Sequence, residues 1–146
     1  MSKITERLAK HVADFGVMYV KLHNYHWHVS GLEFKVAHEM TEGYYEEVSD
    51  AYDKLAERLL QLGEVAPASL KEYLALSDIK EETNHSFCIA EVSKAVKADF
   101  EYILKELHET QKLASESGDC TTDGIVSGII ESFEKHVWML SAILKK

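Results

Sequence analysis

The chain has 146 residues, 46% of them hydrophobic and 28% charged, which suits one soluble globular domain spanning residues 1–146. Its formal net charge of −9 disfavours broad nucleic-acid binding by electrostatics and suits a protein that attracts cations. One proline and seven glycines leave long stretches unbroken, against a turn-rich β fold.

No basic start followed by an apolar run and a small-residue cleavage site is visible, so export is not expected and a cytoplasmic location is. Charged residues such as Asp14 and Lys21 interrupt the apolar stretches, so no membrane span is expected. Cys88 and Cys120 form no CxxC pair and read as reduced thiols.

The first helix is expected from about Ile4 to Val29, with Leu8, Val12, Phe15, Tyr19, Leu22 and Val29 stepping by three and four along one apolar stripe. His26 falls in that stripe, where an apolar residue was due. Gly31 suits a left-handed cap. The second helix is expected from about Glu33 to Leu62. Its inward stripe is Tyr45, Val48, Tyr52, Leu55, Leu59 and Leu62, beside a polar stripe of His38, Glu42, Glu46, Ser49, Asp53 and Glu57. Gly63 ends it, and Pro67 keeps the linker from resuming.

Ser69-Leu70-Lys71-Glu72 has capping-box spacing and should open a short helix through about Ala75. A polar linker follows, near Ser77 to Ser86. The next long helix covers about Ile89 to Ala114, with Val92, Val96, Phe100, Ile103 and Leu107 inward. The last covers about Thr122 to Leu144, with Val126, Ile129, Phe133, Val137, Leu140 and Leu144 inward. The pattern reads as all-α, a four-helix bundle with a short helix in the crossover between helices two and three.

The second helix carries an unusual acid load, and like charges at i,i+4 oppose an isolated helix by about 0.2–0.5 kcal/mol per pair. A bound cation would offset this; a solvated acidic face is the other reading. His38/Glu42 and Asp53/Glu57 each present two donors on one helical face. Glu42 and Asp53 lie three turns apart, roughly 16 Å, so one chain cannot close one metal with both pairs. An antiparallel second copy of the helix would lay one chain's first pair opposite the other's second pair. Imidazoles and carboxylates together suit Fe, Mn or Zn better than Ca or Mg. His26 reads either as a ligand of this set or as a hydrogen-bonded core histidine. Glu82 and His85 have Glu-x-x-His spacing but fall in the polar linker, where the spacing reads as chance.

The run His23-Asn24-Tyr25-His26-Trp27-His28-Val29-Ser30-Gly31 resembles the Dps family, the miniferritins that protect starved bacteria. His38-Glu39, Glu42, Asp53-Lys54-Leu55-Ala56-Glu57-Arg58, Leu70-Lys71-Glu72-Tyr73-Leu74 and Lys135-His136-Val137-Trp138-Met139 continue the likeness along nearly the whole chain. It is nearest the short-tailed members, which include the neutrophil-activating proteins.

The resemblance implies a ferritin-like fold and a ferroxidase centre shared by two subunits. His26, His38 and Glu42 would come from one chain, and Asp53 and Glu57 from its two-fold mate. Glu42 stands where many relatives have aspartate. Two Fe(II) would be oxidised per site, with hydrogen peroxide as oxidant and zinc as a possible competitor. Ferric mineral would be stored in a dodecameric cage.

Trp27 becomes a candidate radical quencher, with core packing as its other reading. His23 and His28 read as secondary metal contacts or ordinary polar residues, and His136 as a residue packed in the bundle. Asp119 and Asp123 would line an iron-entry pore near the start of the last helix, or Asp119 would cap that helix. Cys120 and Gly124 stand where some relatives place pore acids. DNA compaction, which often rests on a lysine-rich tail, is an alternative implied by some relatives, but here only Ser2 and Lys3 stand before the first helix and Lys145-Lys146 at the end. A particle that stimulates host cells is a further alternative, on which no motif bears.

Overall fold

The computed structural model describes all residues, Met1–Lys146. The chain forms α1 (Lys3–His28), α2 (Phe34–Gln61), α3 (Leu70–Leu76), α4 (Ile89–Glu116) and α5 (Cys120–Leu144). Several boundaries have a local cause. The Ser2 hydroxyl accepts the Thr5 N–H at 3.2 Å and caps α1. Gly31, Gly63 and Gly118 take φ of +111°, +84° and +75° at the turns that end α1, α2 and α4, where a side chain would be strained. The Ser69 hydroxyl accepts from Glu72 N–H at 3.3 Å and caps α3 as expected, while the Glu72 carboxylate reaches back past the cap residue's own N–H to Ala68 N–H at 3.1 Å, a variant of the expected box. Glu91 makes a similar reach to Cys88 N–H, 2.8 Å, at the start of α4.

α1 and α2 form one antiparallel hairpin and α4 and α5 another. The crossover from α2 to α4 carries α3 and packs it on α1. This is the connectivity of ferritin-like bundles. The core draws on all four long helices, with Phe15, Leu55, Phe100 and Phe133 fully or almost fully buried. Phe133 joins the two hairpins, with its ring 5.7 Å from Phe15 edge-on and 4.6 Å from Phe100. Burying such a side chain is worth about 1.5–3 kcal/mol.

The expected stripes hold with exceptions. Tyr19 is exposed because it sits at the flank of α1, where its ring meets Tyr45 edge-on instead of entering the core. Leu62 is exposed as the C-cap of α2, beyond the packed hairpin. Val137 and Leu144 are half-buried on α5, on either side of the fully buried Leu140.

The crossover is held by polar groups as well as by packing. Asp14, which is 1% exposed, accepts Ser77 Oγ–H at 2.7 Å and the Asp78 N–H at 3.2 Å. Tyr102 Oη donates to its other oxygen at 3.2 Å, and Lys10 lies 3.6 Å away. Burial raises the Asp14 carboxyl above its ordinary range, and those donors pull it back. The far end is fastened by a single β-bridge between Val29 and Phe87, with Ser30 N–H donating to the Phe87 carbonyl at 2.8 Å.

Candidate metal centre

The end of α1 and the start of α2 face each other across the turn at Gly31, which brings His26 and His38 together. Their rings stack with centroids 3.6 Å apart and planes 14° from parallel. His26 Nδ1 donates to the His38 carbonyl at 2.7 Å, and His38 Nδ1 donates to the His26 carbonyl at 2.8 Å. A carbonyl only accepts, so both Nδ1 atoms carry the proton when the rings are neutral, and each Nε2 is left with its lone pair. Neither Nε2 has a partner within the chain. A carbonyl on Nδ1 is the usual outer support of a metal-binding imidazole.

Thr41, fully buried, adds its hydroxyl 3.2 Å from His26 Nδ1 while donating to the Ala37 carbonyl. Burial lowers the His26 pKa, against upward pulls from the His38 carbonyl and Glu42, and so favours the neutral ring.

Glu42 lies one turn beyond His38 and is exposed; Tyr45 Oη donates to its Oε1 at 3.3 Å. Two imidazoles with one nearby carboxylate fit iron, manganese or zinc. Asp53 and Glu57 are exposed farther along α2 and make no hydrogen bond or ion pair within the chain. No three His, Cys, Asp or Glu side chains converge within the single chain.

Trp27 is 66% exposed, so it does not pack in this chain's core. Its ring meets His23 edge-on at 5.4 Å. His23 and His28 each place Nδ1 on the carbonyl four residues back, Tyr19 at 2.7 Å and Asn24 at 2.9 Å. His136 is half-buried and hydrogen-bonded to Glu47, whose carboxyl that bond holds below the usual range.

Asp119 caps α5: Oδ1 accepts Thr122 N–H at 3.0 Å and the Arg58 guanidinium at 2.9 Å, and Oδ2 accepts Thr122 Oγ1–H at 2.5 Å. Burial works upward on its pKa, but Thr122 and Arg58 together hold it below the ordinary value. Asp123, one turn on, accepts only Ser127 Oγ–H, at 3.0 Å. Glu82 lies in the irregular crossover and accepts from Tyr25 Oη at 3.0 Å, so its spacing to His85 builds no helical motif.

Sequence reasoning missed two residues here. Thr41 falls in neither of the stripes read on the second helix. Tyr45 read as core, although it is half-buried and turned toward His26 and Glu42. Its i+3 spacing from Glu42 was the available signal.

A family model for the ferritin-like domain matches residues 5–146. The fold and its histidine pair thus define a ferritin-like helical-bundle protein. Antigen TpF1 of Treponema pallidum (strain Nichols) is 54% identical over 145 residues, covering 99% of this chain and 82% of its own. The crystal structure of antigen TpF1 from Treponema pallidum has a TM-score of 0.97 at 55% identity, over 98% of this chain and 92% of that one. DNA protection during starvation protein 2 of Bacillus anthracis is 39% identical over 144 residues, 99% of this chain and 98% of its own. The Dps protein of Vibrio cholerae O1, a member of a broad superfamily of ferritin-like diiron-carboxylate proteins, has a TM-score of 0.94 at 33% identity, covering 98% of this chain and 89% of that one. The chain belongs to the Dps family.

No helix is long and apolar enough to cross a membrane.

Proposed function

We propose that the protein is an iron-storing ferroxidase that removes Fe(II) and hydrogen peroxide together. The observation that carries this is the reciprocal histidine clasp, which leaves two Nε2 lone pairs free beside Glu42. Asp53 and Glu57 of a two-fold-related copy complete the centre. The 28-residue α2 is long enough to lie antiparallel to its copy with the two pairs in register. Two Fe(II) bind per shared site as substrate, and zinc competes for the same donors. Each iron gives one electron to hydrogen peroxide, whose O–O bond breaks to two hydroxides. Delivering both electrons in one encounter avoids release of hydroxyl radical. Carboxylates stabilise the Fe(III) product more than the Fe(II) substrate, which favours turnover.

Ferric oxide-hydroxide then collects in a hollow dodecamer. Iron enters near the start of α5, where Asp119 and Asp123 lie. Asp119 is committed to its cap and to Arg58, so Asp123 is the carboxylate with a free oxygen. Storage and peroxide removal of this kind would protect against oxidative damage, with the protein in the cytoplasm.

The test is to mix the protein with Fe(II) and peroxide and follow ferric absorbance. We expect acceleration over buffer and its loss in His26→Ala/His38→Ala. A wild-type rate equal to buffer, or a variant as fast as wild type, would sink the proposal.

A further inference from the structure

Thr41 is fully buried on α2, and its hydroxyl stands where three polar atoms meet. It lies 2.8 Å from the Ala37 carbonyl oxygen, 3.0 Å from that of His38 and 3.2 Å from His26 Nδ1. A hydroxyl has one hydrogen, and both carbonyls only accept. The hydrogen therefore goes to a carbonyl, and the oxygen is left to accept from His26. The Nδ1–H of His26 thus has two acceptors on α2, the His38 carbonyl at 2.7 Å and the Thr41 hydroxyl at 3.2 Å. The Nδ1–H of His38 has one, the His26 carbonyl at 2.8 Å. Valine would fill the same space as Thr41 with no polar group to satisfy, so packing alone does not call for the hydroxyl.

The second acceptor bears on direction. The stack on His38, with centroids 3.6 Å apart, sets the plane of the His26 ring. Rotation within that plane is set by what holds Nδ1–H. One acceptor lets the ring rock about the hydrogen bond, whereas two fix the line of the N–H bond, and Nε2 sits across the same rigid ring. A donor has to be held within about 0.5 Å and 10–20° of its working direction. We propose that Thr41 is a positioning residue of the centre: its hydroxyl helps keep the proton on His26 Nδ1 and aims the bare Nε2 at the metal. This rests on the ferroxidase reading of the His26, His38 and Glu42 site. Thr41 acts through His26 and touches no metal itself.

The experiment titrates the full-length, assembled, metal-free protein with Zn2+ by calorimetry. Thr41→Val keeps the shape and removes the hydroxyl, and should weaken zinc binding about tenfold, the lower end of what losing an outer partner of a ligand costs. Thr41→Ser keeps the hydroxyl and should bind as wild type does. Thr110→Val is the control, because Thr110 is equally buried and its hydroxyl lies 2.7 Å from Nε2 of His11, toward the other end of α1. It should leave zinc affinity unchanged. Nitrogen-15 spectra of the histidine-labelled protein add a readout that general loosening does not move. Wild type and Thr41→Ser should show His26 with its proton on Nδ1, and Thr41→Val should shift that N–H resonance toward the one of His38, which has a single acceptor. Should Thr41→Val fail to assemble, Thr41→Ala against Thr41→Ser isolates the hydroxyl in the same way. Wild-type affinity in the variant without the hydroxyl overturns the proposal. So does an equal loss in Thr41→Ser or Thr110→Val, or a wild-type His26 with its proton on Nε2. In each of these cases, wild-type oxidation of Fe(II) by peroxide leaves the ferroxidase reading standing. A wild type that neither takes up zinc nor oxidises Fe(II) overturns both.

Discussion

The same side chain does opposite work at three positions in this molecule. His26 and His38 are held by backbone carbonyls at Nδ1 and keep Nε2 free. His11 is 2% exposed on α1 and spends Nε2 on the Thr110 hydroxyl, at 2.7 Å. Burial chiefly, with Arg7 and Lys10 nearby, lowers the His11 pKa from 6.5 to about 3. The folded ring therefore stays neutral where the unfolded chain takes up a proton. Its contribution to stability is whole above pH 6.5 and is lost as pH falls toward about 3. We expect His11 to impose a slope of roughly 1.4 kcal/mol per pH unit through that window. Denaturant titrations from pH 7 to 4 should show a shallower acid loss in His11→Gln than in wild type. Asp119 offers a second residue-level test. Asp119→Ala removes the α5 cap and leaves Arg58 unpaired, and should cost about 1–2 kcal/mol by chemical denaturation. Asp119→Asn, which can still accept from Thr122, should cost less.

Among the elements, the seven-residue α3 is far too short to be stable alone, and its place depends on one glycine. Gly16 sits within α1, where glycine is about 1 kcal/mol worse than alanine. The buried Tyr73 ring of α3 lies against it, and a Cβ on Gly16 would come 2.7 Å from Tyr73 Cδ2. Tyr73 cannot swing freely, because its hydroxyl is bonded to that of Tyr52 on α2. Gly16→Ala should therefore destabilise by about 1–3 kcal/mol despite its better helix propensity, through overpacking. A thermal midpoint at or above wild type would show that α3 is not fixed by this contact.

At the scale of the assembled molecule, the decisive question is whether Asp53 and Glu57 serve their own chain or another. In the proposed two-fold dimer, each shared site would take its histidines from one protomer and its distal carboxylates from the other. A subunit carrying His26→Ala/His38→Ala and one carrying Asp53→Ala/Glu57→Ala should each be inactive alone. A mixed dimer has one wholly wild-type site and one doubly damaged site. Random co-assembly makes half the dimers mixed, so about a quarter of wild-type peroxide-dependent Fe(II) oxidation should return. Sites contained within one chain would show no return. Stopped-flow ferric absorbance on co-refolded mixtures measures the difference.

Much of this protein was legible before folding. Apolar spacing set four long helices, and Gly31, Gly63 and the Ser69–Glu72 box set where turns and the short helix fall, because these signals act within a few residues. The same spacing put His26 on the buried stripe and separated the two donor pairs of α2. Only the tertiary structure decided that His26 and His38 clasp each other through their carbonyls. That geometry depends on how two helices meet, and no intrahelical period encodes it. It likewise moved Tyr19 and Trp27 outward, turned Tyr45 toward Glu42, and drew Asp14 beneath the crossover. Burial and partnership belong to pairs of elements, and the sequence states them only one element at a time.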